Sequence, residues 1–218
     1  MSEAVLTMFG NDGGLLGALR QHWLKWGFVF RARRLLRSVS VRSDLRLHVP
    51  VDVRGGKGSL TVGDTVSFGY SSAPLVGTGA ILLQPRRPDA VIEIGDRTAI
   101  SNNAALIAMK SIRIGSDCLI GDSVVIYDCD FHEIDPRRRR GGVGPIEPVT
   151  IGDNVWVASR VMILRGVTIG DNSVVGAGSV VTRSIPANSV AAGVPARVVR
   201  QLTDVPVRTA QSRSGAAA

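Results

Sequence analysis

Between Tyr127 and Pro148 the chain gathers Asp128, Cys129, Asp130, Phe131, His132, Glu133, Ile134, Asp135 and Pro136, followed by Arg137-Arg138-Arg139-Arg140-Gly141-Gly142. His132 is one of only three histidines in the chain, and it stands among four carboxylates. An imidazole titrates near neutral pH, so it can take up and return a proton under physiological conditions. A neighbouring carboxylate, Asp130 or Glu133, can orient such a ring and stabilise the imidazolium that forms. In an extended segment Asp128, Asp130 and His132 would share one face. The arginine run reads as a mobile basic tongue. The two cysteines, Cys118 and Cys129, lack a C-x-x-C spacing and read as small packing residues.

These residues sit at a break in an otherwise regular sequence. From Ile151 every sixth residue is aliphatic, through Val157, Ile163, Ile169, Val175 and Val181. The same step joins Ile94, Ile100 and Leu106, and again Ile114, Ile120 and Ile126, with a two-residue slip between the runs. A weaker copy surrounds Val62-Gly63-Asp64, so the repeats run from about residue 51 to about residue 190. A period of six fits neither an amphipathic helix, at about 3.6, nor an alternating strand, at about 2. Glycine follows the anchor at Gly63, Gly95, Gly115, Gly121, Gly152, Gly170 and Gly176, commonly trailed by Asp or Asn, residues that tolerate positive φ and tight turns. Each hexad therefore reads as a short strand ending in a corner, with three corners closing a triangular coil of about eighteen residues. Stacked coils bury the anchors in one column and pair strand over strand. The predicted class is an all-β solenoid, a parallel β-helix, and the break at 127–148 is expected to be a loop with a task.

The Ile-Gly-Asp-x-x-aliphatic repeats resemble those of the hexapeptide-repeat acyltransferases over about residues 51–200. The resemblance implies a left-handed β-helix; the period alone would not, because ordinary parallel crossovers are right-handed. Asp-x-Asp-x-His, residues 128–132, is similar to the catalytic segment of hexapeptide O-acetyltransferases acting on sugars. That implies His132 as general base with Asp130 in support. A sugar hydroxyl holds its proton tightly, and a positioned imidazole removes it as the oxygen attacks a thioester carbonyl. From Ile151 to Arg200 the chain resembles the galactoside and maltose O-acetyltransferases. This likeness implies an acetyl-coenzyme A groove along Trp156 and Ser159 and a pantetheine contact at Ala177. It further implies a nucleotide end at Thr182 and Arg183, and phosphate contacts from Arg197 and Arg200, a task that suits guanidinium groups. Where those enzymes have a sugar-contacting asparagine this chain has Ser101, with Asn102 and Asn103 beside it. These three are the candidate acceptor-binding residues of a different pocket. The wording of residues 128–136 looks more like O-acetyltransferases of capsule, O-antigen or exopolysaccharide synthesis. Their acceptors are often nucleotide- or lipid-linked sugars, and Arg137 to Arg140 could meet a pyrophosphate. The family also implies a homotrimer with active sites between neighbouring prisms, and no metal.

Outside the repeats, residues 14–38 are predicted helical, with Leu15, Leu16, Leu19, Trp23, Trp26, Phe30 and Leu35 among basic residues. Eight Lys or Arg lie between Arg20 and Arg46 against a single acid, Asp44. This arm, residues 1–50, reads as packed on the prism or on a neighbouring subunit with its charges solvated; the alternative is a peripheral helix on an anionic membrane. Residues 51–200 form the expected β-helix, and 201–218, rich in Ala, Ser, Thr and Arg, a frayed tail.

Composition narrows the classes further. The 218 residues are 44% apolar, enough for a packed core, so disorder throughout is excluded. A net charge of +8 favours anionic partners. With aromatics at 5%, and basic clusters outside the repeats or in the tongue, stacking platforms for nucleic acid are not expected. The apolar stretch Trp26 to Phe30 is far short of the roughly 20 residues of a membrane span. Glu3 and Asp12 precede any hydrophobic segment, so a secretory signal is not expected and a cytoplasmic location is. A zinc hydratase on the same solenoid would need three histidine ligands, whereas His22 and His48 lie outside the main repeats. A serine O-acetyltransferase, which the family would give a longer helical N-terminal domain, and a non-catalytic scaffold are the remaining alternatives.

Overall fold

Aliphatic residues six apart can all point inward only if the chain turns a corner after each one, and it does. In the computed structural model, which describes residues 15–42 and 44–203, every anchor from Ile94 to Val181 named above is buried. The first coil consists of β1 (Ser38–Val41), β2 (Arg46–Leu47) and β3 (Val51–Val53), and the second of β4 (Ser59–Val62), β5 (Ser67–Phe68) and β6 (Ile81–Pro85). The third holds β7 (Val91–Ile94), β8 (Ala99–Ile100) and β9 (Ala105–Ala108), and the fourth β10 (Ser111–Ile114), β11 (Leu119–Ile120) and β12 (Val125–Tyr127). The fifth holds β13 (Val149–Ile151), β14 (Trp156–Val157) and β15 (Met162–Ile163), and the sixth β16 (Thr168–Ile169), β17 (Val174–Val175) and β18 (Val180–Val181). The first strands of the coils stack into one sheet, here face 1; the second strands make face 2 and the third strands face 3. Pairing between successive coils is parallel throughout. The result is a left-handed parallel β-helix. Face 2 is extended by β19 (Ser189–Gly193), parallel to β17, and by β20 (Ala196–Gln201), antiparallel to β19.

The Gly-Asp-Asn corners divide their labour differently from the expectation. Positive φ falls on the third residue, as at Asn154 (55°) and Asn172 (60°), not on the glycine. The glycine is required by its neighbour instead: a Cβ on Gly115 would lie 2.5 Å from the carbonyl oxygen of Gly152 in the next coil. The aspartate side chain accepts the backbone N–H of the coil before it, Ser116 to Asp153 Oδ1 at 2.9 Å and Asp153 to Asp171 Oδ1 at 2.8 Å. Asn154, Asn172 and Asn188 continue the stack as an amide ladder, 2.9 Å per step.

The helix α1 spans Leu15–Leu35, three residues short of its expected C-terminal limit. It lies on the first coil through Phe28, Ala32 and Leu24, with the Phe28 and Phe68 rings 6.2 Å apart. Gln21 accepts the Leu47 N–H at 2.8 Å, Arg20 donates to the His48 carbonyl at 2.8 Å, and Arg31 pairs with Asp52 at 3.0 Å. The expected boundary at residue 51 falls inside the first coil, which already begins at Ser38. Val41, Leu47 and Val53 keep the six-residue step but lack the Gly-Asp corner that made later coils visible. At the other end β20 runs to Gln201, and the rest of the expected tail lies beyond residue 203, outside the described residues.

Gly115→Ala should lower stability by about 1–3 kcal/mol, the range for overpacking against a backbone that cannot retreat. Gly141→Ala, where the nearest atom to the added carbon is 4.0 Å away, should leave the melting temperature nearly unchanged. Thermal unfolding of the two variants checks the pair.

Candidate functional site

The loop after β12 leaves the prism at the corner between faces 3 and 1. Its two arms are zipped by an antiparallel bridge between Cys129 and Ile146. Asp130 N–H donates to the Pro145 carbonyl at 3.0 Å, Gly144 N–H to the Asp130 carbonyl at 2.9 Å and Glu147 N–H to the Asp128 carbonyl at 2.8 Å. Asp128, fully buried, roots the loop: its carboxylate accepts three successive backbone N–H groups, from Met109, Lys110 and Ser111, each at 2.7 Å. Two of those donors, Met109 and Lys110, are the extra residues between β9 and β10, and Ser111 opens β10. The extra residues after β9 widen the corner, and the freed N–H groups converge on the one carboxylate below them.

His132 projects from this loop, exposed in the single chain. Its Nδ1 lies 3.0 Å from the Arg139 carbonyl oxygen. A carbonyl only accepts, so Nδ1 carries the hydrogen in this contact, which in a neutral ring puts the lone pair on Nε2. Asp130, expected to orient the ring, does not touch it. Its carboxylate pairs with Arg165 Nε at 2.9 Å, and Arg165 also reaches Glu147. The close Asp130 carboxylate, with Glu147 beyond it, raises the Arg165 guanidinium above its ordinary value, and this ion pair ties the loop to the fifth coil. A cleft of about 570 Å³ opens beside the imidazole, lined by Arg86, Met109, Phe131, His132 and Val143. Arg86 sits 5.2 Å over the Phe131 ring, which meets Tyr127 edge-on at 5.3 Å.

The tongue makes contacts within itself and with the segment before it. Asp135 accepts from the Arg137 backbone N–H at 3.0 Å and its guanidinium at 2.8 Å, which holds the Asp135 carboxyl below the usual carboxylate range. Arg138 lies 3.8 Å from Glu133 and 3.6 Å from Asp135, and Arg139 donates to the Ile134 carbonyl at 3.0 Å. The cysteines are packing residues: burial pushes both thiols up to about 11, so neither is a thiolate at neutral pH.

The other predicted residues fall on a different edge. Trp156 is half exposed on the outer side of face 2, in register with Leu119, Val174 and Val190. Arg200 pairs with Val190 and Arg197 with Ala192; the bulge in β20 between them turns both toward the side that carries Trp156. Ser159 and the exposed Ala177 stack at the corner between faces 2 and 3, linked by Gly178 N–H to the Ser159 carbonyl at 3.0 Å. Thr182 and Arg183, both exposed, stand instead on the corner between faces 3 and 1, two coils past the His132 loop.

Ser101, Asn102 and Asn103 occupy the corner between faces 2 and 3 in the third coil, where Ser101 and Asn102 are buried and Asn103 is half-buried. Buried Asn102 accepts the Tyr70 N–H at 2.9 Å and donates to the carbonyls of Tyr70, Ala73 and Pro74 at 3.1, 3.2 and 3.3 Å. Asn103 donates to Pro74 at 3.0 Å. Both anchor a second loop, 69–80, which sequence reading missed. Its signal was present: the six-residue step fails between Phe68 and Leu83, in a stretch holding Gly69, Pro74, Gly77 and Gly79. Arg86, Met109 and Arg165 carried no signal, since only stacking brings them to the His132 loop.

Residues 148–183 match the family described as bacterial transferase hexapeptide (six repeats). The chain is 44% identical over 113 residues to galactoside O-acetyltransferase of Escherichia coli K12, covering 52% of this chain and 55% of that protein. It is 40% identical over 107 residues to galactoside O-acetyltransferase of Lactococcus lactis, covering 49% and 51%. The chain thus spans about half the length of the curated relatives it matches. A hexapeptide-repeat-containing acetyltransferase of Vibrio cholerae O1 biovar eltor, solved with acetyl-coenzyme A, is similar with a TM-score of 0.52 and 26% identity, over 94% of this chain and all of that one. A galactoside acetyltransferase in complex with coenzyme A gives 0.56 and 29%, over 93% and 79%. The hexapeptide-repeat resemblance and the left-handed fold expected from the motifs are borne out.

Asp128→Asn should destabilise the protein by roughly 2–5 kcal/mol, because an amide nitrogen cannot accept and leaves buried N–H groups unpaired. Urea unfolding measures it, and an unchanged midpoint would remove Asp128 from the root of the loop.

Proposed function

We propose that this chain is an acetyl-coenzyme A-dependent O-acetyltransferase acting on a sugar hydroxyl, with His132 as general base. Nε2 takes the hydroxyl proton as the sugar oxygen attacks the thioester carbonyl, and the tetrahedral intermediate collapses to an acetyl ester. The departing thiolate recovers the proton from the imidazolium and leaves as coenzyme A. Relatives and structural neighbours named galactoside acetyltransferases, and neighbours solved with coenzyme A or acetyl-coenzyme A, support the donor and a sugar acceptor.

The observation that carries the reading is the height of each group along the prism. Ser101 to Asn103 and loop 69–80 lie on one edge in coils two and three, and Ser159 and Ala177 on the same edge in coils five and six. His132 stands on the other edge of face 3, at coil four. One prism cannot close this site, because the breadth of face 3, on the order of 15 Å, separates its edges. A three-fold axis parallel to the prism preserves heights, so it would set His132 of one copy between the acceptor and donor ends of the next copy. We therefore assign a homotrimer with its sites between subunits, in which Thr182 and Arg183 reach the donor from the same edge as His132. Asp130 acts as a positioning residue through Arg165. The acceptor is a nucleotide- or lipid-linked sugar of surface polysaccharide synthesis in the cytoplasm, and the tongue meets its pyrophosphate.

With acetyl-coenzyme A and a panel of free, nucleotide-linked and lipid-linked sugars, acceptor-dependent thiol release should fall by about 10²–10⁴ in His132→Ala. Release that survives the substitution would overturn the base assignment. Absence of both release and coenzyme A binding would leave a non-catalytic scaffold. Mixing His132→Ala with Trp156→Ala/Arg200→Ala, unfolding and reassembling, should restore about a quarter of the sites, those with both edges intact. No recovery would argue for a site within one chain. Replacing Arg137 to Arg140 by alanine should raise the acceptor KM more than it lowers kcat; an unchanged KM would sink the pyrophosphate contact.

A further inference from the structure

The helix α1 has two apolar faces, and the prism uses one of them. Phe28, Ala32 and Leu24 point into the first coil. At about 100° per residue, Leu19, Trp23, Trp26 and Phe30 form a stripe on the opposite side. The stripe is bare: Trp23 is 67% exposed, Trp26 56% and Phe30 54%. Its rings are already ordered, Trp26 stacked on Phe30 at 5.2 Å and set edge-on to Trp23 at 6.1 Å. Arg33 and Arg34 flank it in the last turn, and the whole helix carries no carboxylate.

We infer that this stripe seats α1 in the surface of an anionic lipid bilayer. Charge decides between the occupants. A second copy brought to this face would set arginines against arginines with no acid from either helix, whereas anionic headgroups complement both flanks. The apolar groups are also of the type that favours a water–lipid boundary: indole and phenyl rings bury their bodies while arginine side chains reach outward to headgroups. The helix is too basic and too short of apolar residues to cross, and no described helix is long and apolar enough to do so. It therefore lies in the boundary plane, its other face still on the prism. This inference stands on the helix alone, independently of the enzymatic reading. Its consequence is an orientation: the first coil faces the lipid and the sixth points away.

Full-length protein sedimented with phosphatidylcholine vesicles, with and without phosphatidylglycerol, tests it. Binding should require phosphatidylglycerol, weaken with salt, and shift tryptophan emission to shorter wavelength. Trp23→Ser/Trp26→Ser/Phe30→Ser should reduce binding about tenfold or more. Since these side chains are exposed, its melting temperature should match the parent. Arg33→Ala/Arg34→Ala should weaken binding and flatten its salt dependence. Failure of the parent to bind phosphatidylglycerol vesicles or to shift its emission would overturn the inference, and neither readout depends on a variant folding. Equal binding by the triple variant would overturn it too, as would a smaller solution mass for that variant, which would give the stripe to a second copy.

Discussion

Everything in this molecule depends on coils stacking closely enough for the backbone of one to hydrogen-bond to the next. Most strands of the prism are only two to four residues long, and none could stand alone. Their N–H groups are met by the coil beside them, as when Gly115 donates to Ile151 at 2.8 Å and Gly152 to Ile169 at 2.8 Å. That spacing leaves no room for a side chain where two corners meet, which is why glycine recurs there. The inner column is filled mostly by Ile, Leu and Val, with Phe68 the one aromatic side chain fully buried in a strand of the described prism.

Stacking also dictates where function can be placed. A residue inserted within a strand would break the ladder above and below, so departures occur at corners. Both large loops leave at corners, and each is rooted by a buried polar side chain that satisfies backbone groups the break exposes. Asp128 collects three N–H donors, and Asn102 closes on four backbone groups of loop 69–80. The two are structural counterparts on different edges. The charge of Asp128 suits a cluster of donors; the mixed amide of Asn102 suits a loop offering both an N–H and carbonyls.

One prism presents three faces, and chemistry needing more than one edge calls for another surface opposite. Exposed Leu119 and Trp156 stand in register with half-buried Val174 on face 2, and the exposed imidazole of His132 stands at the far side of face 3. The arm at the first coil is satisfied on one face and bare on the other. A solenoid, whose repeats bury surface only against their neighbours along the axis, leaves such lateral surfaces available by construction.

The order of residues along the chain determined the repeat, the coil and the inward column, because a step of six places every anchor on one side whatever surrounds it. It also marked the break around His132, since a failed period needs no coordinates to be seen. It located the solenoid's start too late, because Val41, Leu47 and Val53 hold the step without glycine. Tertiary structure alone decided the partners. Asp130 meets Arg165, 35 positions away, rather than His132, two away, because the stacking of the fifth coil on the fourth sets that distance while sequence separation does not. Asn102 reached a loop some thirty residues earlier for the same reason, since neighbours in a solenoid are separated by whole coils. Only the assembled corners could reveal that a two-residue slip supplies two of the three donors for a buried carboxylate.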